Sequence, residues 1–131
     1  MGNRIYFFSR ESRFLILGVV WSVVILFLTL SPKAPNSVPF INIPHFDKLG
    51  HFGLFFILAI FVHLALRPKT GSLRWIILIG YCAFLGVMTE YLQTKIEGRS
   101  GDVLDFLADI AGSLSGALII SRINFQRSDA F

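Results

Sequence analysis

Asp102, Asp105 and Asp109 follow one another at intervals of three and four residues, and Gly112 and Gly116 continue the same rhythm. On a helix advancing 100° per residue the three acids lie within about 60° of one another. One face therefore carries acids and then glycines. The Gly-Ser-Leu-Ser-Gly spacing lets a neighbouring helix backbone approach closely in lipid, which predicts that this face points into a bundle. A charge at membrane depth costs at least a few kcal/mol, roughly, and two ionised acids one turn apart repel. Either a cation neutralises Asp105 and Asp109 or at least one of them holds a proton.

Two further stretches place polar groups at comparable positions. Glu90 and Gln93 are one turn apart, with Ala83 and Gly86 below them on roughly the same side, and Asp47 and His51 are four apart. Lys48 and Arg99 are the cations placed to neutralise such a group, the Arg99 guanidinium being suited to bidentate pairing with a carboxylate or phosphate. The chemistry open to this set is recognition of an anion, binding of a divalent cation, or general acid and base work. His63 lies about 120° around the helix from His51 and nearer the other end, so it is not counted with the group. Structural roles compete for the same residues. Asp47, Lys48 and His51 suit a polar helix start, Glu90 and Gln93 an interhelical hydrogen-bonded pair, and Arg99 and Asp102 a solvated turn with an N-cap.

The elements that position these residues follow from the hydropathy. The 131 residues are 54% hydrophobic and 15% charged, with 14 Phe and a mean hydropathy of +0.68, which is too apolar for an ordinary soluble domain. The chain reads as an all-α membrane protein: four transmembrane helices in one compact bundle, over about 14–30, 47–66, 75–92 and 103–120. The first apolar run follows Arg4, Arg10 and Arg13 and is long for a secretory signal, so it is expected to be a retained anchor. The start Met-Gly-Asn-Arg-Ile-Tyr lacks the Ser or Thr expected at position six of a myristoylation signal. Pro32, Pro35, Pro39 and Pro44 make the next stretch an extended connector. Pro68 and Gly71 punctuate a short basic turn, and Gly98 and Gly101 flank Arg99 in another. Cys82 stands alone inside an apolar run, which excludes an internal disulfide and assigns it to packing.

The net charge of +4 does not point to nucleic acid, because the basic residues flank apolar runs and form no stripe among exposed aromatics. It orients the chain in the bilayer. Eight of the 12 Lys and Arg residues fall on the side of the two termini, which predicts both termini in the cytoplasm of a bacterial inner-membrane protein. Asp47, Glu90, Glu97, Asp102, Asp105 and Asp109 all fall on the other side. The unusual polar residues then converge at the outer face.

Asp47-Lys48-x-x-His51-Phe52, Glu90-x-x-Gln93, Gly98-Arg99-Ser100 and Asp102-x-x-Asp105-x-x-x-Asp109-x-x-Gly112-x-x-x-Gly116 together resemble the VanZ-like family of small bacterial membrane proteins. The order and spacing of these motifs are specific, and the first helix ending in Leu30-Ser31-Pro32 is similar to the family's start. Asp109 stands where the family pattern usually has Asn, so a carboxyl group must here do the work of an amide. The resemblance implies a multispanning envelope protein whose founding member accompanies glycopeptide-resistance genes and lowers susceptibility to teicoplanin. It implies no established reaction.

Three functions follow as expectations. The first is an outer-facing pocket in which Arg99, Lys48 and His51 engage an anionic envelope lipid, a cell-wall precursor or a glycopeptide antibiotic. The second is an enzyme in which Glu90, His51, Asp105 and Asp109 bind Mg, Mn or Zn, or supply acid and base, for hydrolysis or transfer on a lipid-linked substrate. The third is a proton-coupled transporter or an assembly scaffold. Four helices make a narrow pathway unless the chain forms a homo-oligomer.

Overall fold

The computed structural model describes residues 9–31, 46–67 and 71–128, with side chains as far as residue 123. It contains four helices: α1 (Arg10–Leu30), α2 (Phe46–Ala65), α3 (Gly71–Gln93) and α4 (Val103–Ser128). Each includes a segment long and apolar enough to cross a membrane. The Pro-rich connector and residues 68–70 of the basic turn lie outside the described residues.

Three helices are longer than the apolar runs predicted, for a common reason. Backbone hydrogen bonding continues into polar flanks that hydropathy assigns to the surface. α1 starts at Arg10 because Ser9 caps it, its side chain accepting from the Ser12 N–H at 3.2 Å. α3 starts at Gly71, whose positive φ of 60° is a conformation that glycine adopts without steric cost. α4 runs beyond the apolar limit near 120 to Ser128.

Helix directions can be read from the contacts. Phe52 packs on Gly112 and Phe56 on Gly116, so α2 and α4 run parallel. α1 is antiparallel to α2, since Gly18 meets Phe61 and Val62 while Trp21 Nε1 donates to the Leu54 carbonyl at 2.9 Å. Glu90 near Asp102 and Gly86 near Asp109 make α3 antiparallel to α4. Four alternating spans put both described ends on one side of the bundle.

The α2–α4 interface is the most extensive, and glycine makes it so. A Cβ at Gly112 or Gly116 would collide with the carbonyl oxygen of Phe52 or Phe56. The two backbones therefore touch directly, as the small-residue spacing predicts. Phe55, Leu58, Leu78, Cys82 and Ala117 fill the centre, where Cys82 packs as expected. Large apolar side chains also cover the outside, Phe27 being 71% and Ile76 66% exposed. In water such a surface would aggregate. Against lipid it is the ordinary outer face of a membrane bundle.

Candidate functional site

The polar residues gather where the starts of α2 and α4 meet the end of α3. Asp102 opens α4 as its N-cap, its Oδ1 accepting from the Leu104 N–H at 2.8 Å. Lys48, in the first turn of α2, donates to Asp102 Oδ2 at 2.6 Å and to Asp105 Oδ1 at 2.8 Å. The Lys48 ammonium, and after it the Leu104 N–H, hold the Asp102 carboxyl below the usual carboxylate range.

One turn deeper, His51 Nδ1–H donates to Asp109 Oδ1 at 2.9 Å, and both side chains are almost wholly buried. The repulsion expected between Asp105 and Asp109 is thus relieved separately, by an ammonium at one and an imidazole at the other. Asp109 Oδ2 is buried without a hydrogen-bond partner among the described residues. It faces Gly86 of α3, where a Cβ would stand 3.1 Å from it. Glycine at that position leaves room for the carboxyl group.

Glu90 reaches the group from α3. Its Oε2 accepts from the Asp102 N–H at 2.6 Å, while its Oε1 is buried with no partner among the described residues. Gly101 permits this crossing, since a Cβ there would lie 3.1 Å from the Glu90 carbonyl oxygen.

His51, Glu90 and Asp105 form a cluster in which one ligand atom from each lies within 4.8 Å of the others. Three ligands each held about 2.1 Å from one ion are at most about 3.6 Å from one another, so closing around a cation takes side-chain movements of up to about an ångström. Each residue has one atom committed to the protein and another left over. The bond to Asp109 leaves Nε2 of His51, the Asp102 N–H leaves Oε1 of Glu90, and the Lys48 ammonium leaves Oδ2 of Asp105. An imidazole tied at Nδ1 by a carboxylate is the usual arrangement behind a metal-binding histidine. Among the described residues, the four carboxylates of Glu90, Asp102, Asp105 and Asp109 gather with one ammonium, Lys48, which bonds Asp102 and Asp105. That imbalance also suits a cation.

The remaining sequence-predicted residues divide. Gln93 turns away, its Nε2 donating to the Thr29 carbonyl at 3.0 Å and joining α3 to α1. Asp47 is exposed and, with His51, Arg99 and Thr29, lines a cavity of about 460 Å³ beside α1 and α2. Arg99 was expected to share the neutralising role of Lys48. It makes no ion pair among the described residues, and its Nε is buried without a partner. Glu90 and Asp102 line a second cavity of about 330 Å³ between α3 and α4. Sequence reasoning did not single out Trp21 and Thr29 of α1 as cavity walls, since neither carries a charge that would mark it in an apolar run. His63 is well away from the cluster, buried edge-on against the Trp75 ring.

The VanZ/LLP1 family model matches residues 10–124, which takes in all four helices and every residue of the cluster. The chain belongs to the VanZ/LLP1 family. This VanZ/LLP1 protein is a multi-pass protein of the bacterial inner membrane, in contact with lipid along its apolar faces. Searches of curated proteins and of solved structures found no match. The Asp109 carboxylate is the point at which it was expected to differ from its family. The geometry gives that carboxylate the acceptor role toward His51 that an amide oxygen also can fill.

Proposed function

We propose that this VanZ/LLP1 protein is a metal-assisted hydrolase or transferase acting on a lipid-linked substrate, with His51, Glu90 and Asp105 holding a divalent cation. The observation that carries the reading is the convergence of these three side chains, each with one atom fixed by the protein and one left to coordinate. One imidazole and two carboxylates form a mixed donor set that suits Mn or Zn and, less closely, Mg. Three protein ligands leave positions for substrate and water. A cation there would polarise a phosphoryl or carbonyl oxygen and acidify bound water.

The other residues have supporting roles. Asp109 sets the tautomer and orientation of His51, Lys48 aims the Asp105 carboxyl, and the Asp102 N–H fixes the rotamer of Glu90. With both termini in the cytoplasm, as the Lys and Arg distribution has it, the cluster faces the outer leaflet and its lipid-linked substrates. A cell-wall precursor fits that location. A glycopeptide antibiotic is less suited to a buried cluster of carboxylates.

The test is metal analysis of the purified full-length chain, together with turnover of lipid-linked phosphates before and after chelation. About one divalent ion per chain, lost in His51→Ala and Glu90→Ala, with chelator-sensitive turnover, supports the reading. A metal-free protein that turns over no lipid phosphate rejects it.

A further inference from the structure

We infer that the cavity beside α1 and α2 is a phosphate subsite for a membrane amphiphile, with Arg99 binding the phosphate and the apolar rim taking the chain. The inference rests on the metal-assisted reading for the site's purpose, but its binding chemistry stands on Arg99 and the cavity.

Arg99 follows Gly98, whose positive φ of 78° turns the chain back, and its own N–H donates to the Ile96 carbonyl at 3.1 Å. The turn thus delivers the side chain to the cavity wall beside His51. Lys48 is consumed by Asp102 and Asp105, whereas Arg99 has no carboxylate partner among the described residues. A buried guanidinium N–H without an acceptor is costly, and a phosphate oxygen is the acceptor its planar fork fits best. Four carboxylates close by would repel an anion. Asp47 lines the same cavity, so an anion there depends on a cation that no carboxylate has taken, and Arg99 makes no ion pair among the described residues.

The rim decides between a soluble anion and an amphiphile. Leu28, Phe46, Leu49 and Ile57 line the same cavity and are 49%, 50%, 65% and 37% exposed. They belong to membrane-spanning helices, so the outer surface they share faces hydrocarbon. A volume of about 460 Å³ holds a headgroup with the first part of its chain. A polar wall in which Arg99 and His51 stand with the exposed Asp47, continuous with a lipid-facing rim, matches a phosphate on an alkyl or prenyl chain arriving from within the bilayer.

The experiment uses the full-length chain in phosphatidylcholine nanodiscs doped with phosphatidic acid, polyprenyl phosphate or diacylglycerol, and native mass spectrometry to count retained lipid. Retention of either phosphate lipid over diacylglycerol is expected, and which one is retained identifies the source. Arg99→Gln should weaken it by roughly 10- to 100-fold, with Arg99→Lys in between because it keeps charge and loses the fork. Equal retention of diacylglycerol, or unchanged retention in Arg99→Gln, overturns the subsite. Inorganic phosphate that competes as well as phosphatidic acid overturns the amphiphile. Metal content measured on the same samples separates the two proposals. Arg99→Gln should keep the ion, and a metal-free protein that still retains phosphate lipid would reject the catalytic reading alone.

Discussion

His51 Nδ1 and Asp109 Oδ1 lie 2.9 Å apart across the α2–α4 interface, with the imidazole 3% and the carboxylate 0% exposed. The carboxylate thereby selects the tautomer that leaves Nε2 available.

Asp109→Asn should keep this selection, because an amide oxygen accepts from Nδ1–H as a carboxylate does. Asp109→Ala removes it and should cost about 10- to 100-fold in metal affinity. Titration of the metal-stripped variants with Mn or Zn by calorimetry checks both. Parent-like affinity in Asp109→Ala would show that His51 does not need its partner.

Lys48→Met leaves the buried Asp105 without its ammonium and should lower the melting temperature in detergent. Adding Asp105→Asn removes the stranded charge, so the double variant should regain part of the loss. A double variant less stable than the sum of the two single changes would mean that the pair is not coupled in this way.

Gly112→Ala drives a methyl group into the Phe52 carbonyl and should destabilise the bundle by about 1–3 kcal/mol. Gly80→Ala is the control. It is exposed with nothing near its Cβ, and should be neutral or slightly stabilising through helix propensity. Thermal unfolding of the two variants side by side distinguishes a packing requirement from a general intolerance of alanine.

The Asp102 carboxyl is held below its ordinary value of 3.8 by Lys48 and the Leu104 N–H. Because the folded-state pKa is the lower one, the stabilisation is complete above the unfolded-state value and disappears as pH falls through the folded-state value. Asp102→Asn keeps a capping side chain and removes only the charge. The variant should melt below the parent at neutral pH and converge with it in strong acid. A gap that stays constant across that range would assign the difference to something other than this ionisation.

The number of spans and the residues of the cluster were legible in the sequence for one physical reason: charge is expensive in lipid. Glu90, Asp105 and Asp109 stand out because nothing in an apolar run would otherwise tolerate them. Their partners were less legible. That Lys48 serves both Asp102 and Asp105, that Arg99 serves neither, and that Gln93 reaches Thr29 all depend on helix rotation and side-chain reach, which a 100° periodicity does not resolve. The ends of α1, α3 and α4 were misjudged where capping and polar hydrogen-bonded turns extend a helix past its apolar part. Gly112 and Gly116 were readable as a contact face, though the sequence did not reveal that the Phe52 and Phe56 carbonyls fill the space.

Those carbonyls have a mechanical consequence. Where two main chains touch, no side chain is left between them to act as a spring, so α2 and α4 form a stiff plate, with His51 adjoining Phe52 and Asp109 one turn before Gly112. α1 and α3 lean on this plate through bulkier side chains and a few long-range hydrogen bonds, such as Trp21 to Leu54. A displacement of α1 or α3 would accordingly reshape the two cavities before it altered the spacing of the imidazole and its carboxylate.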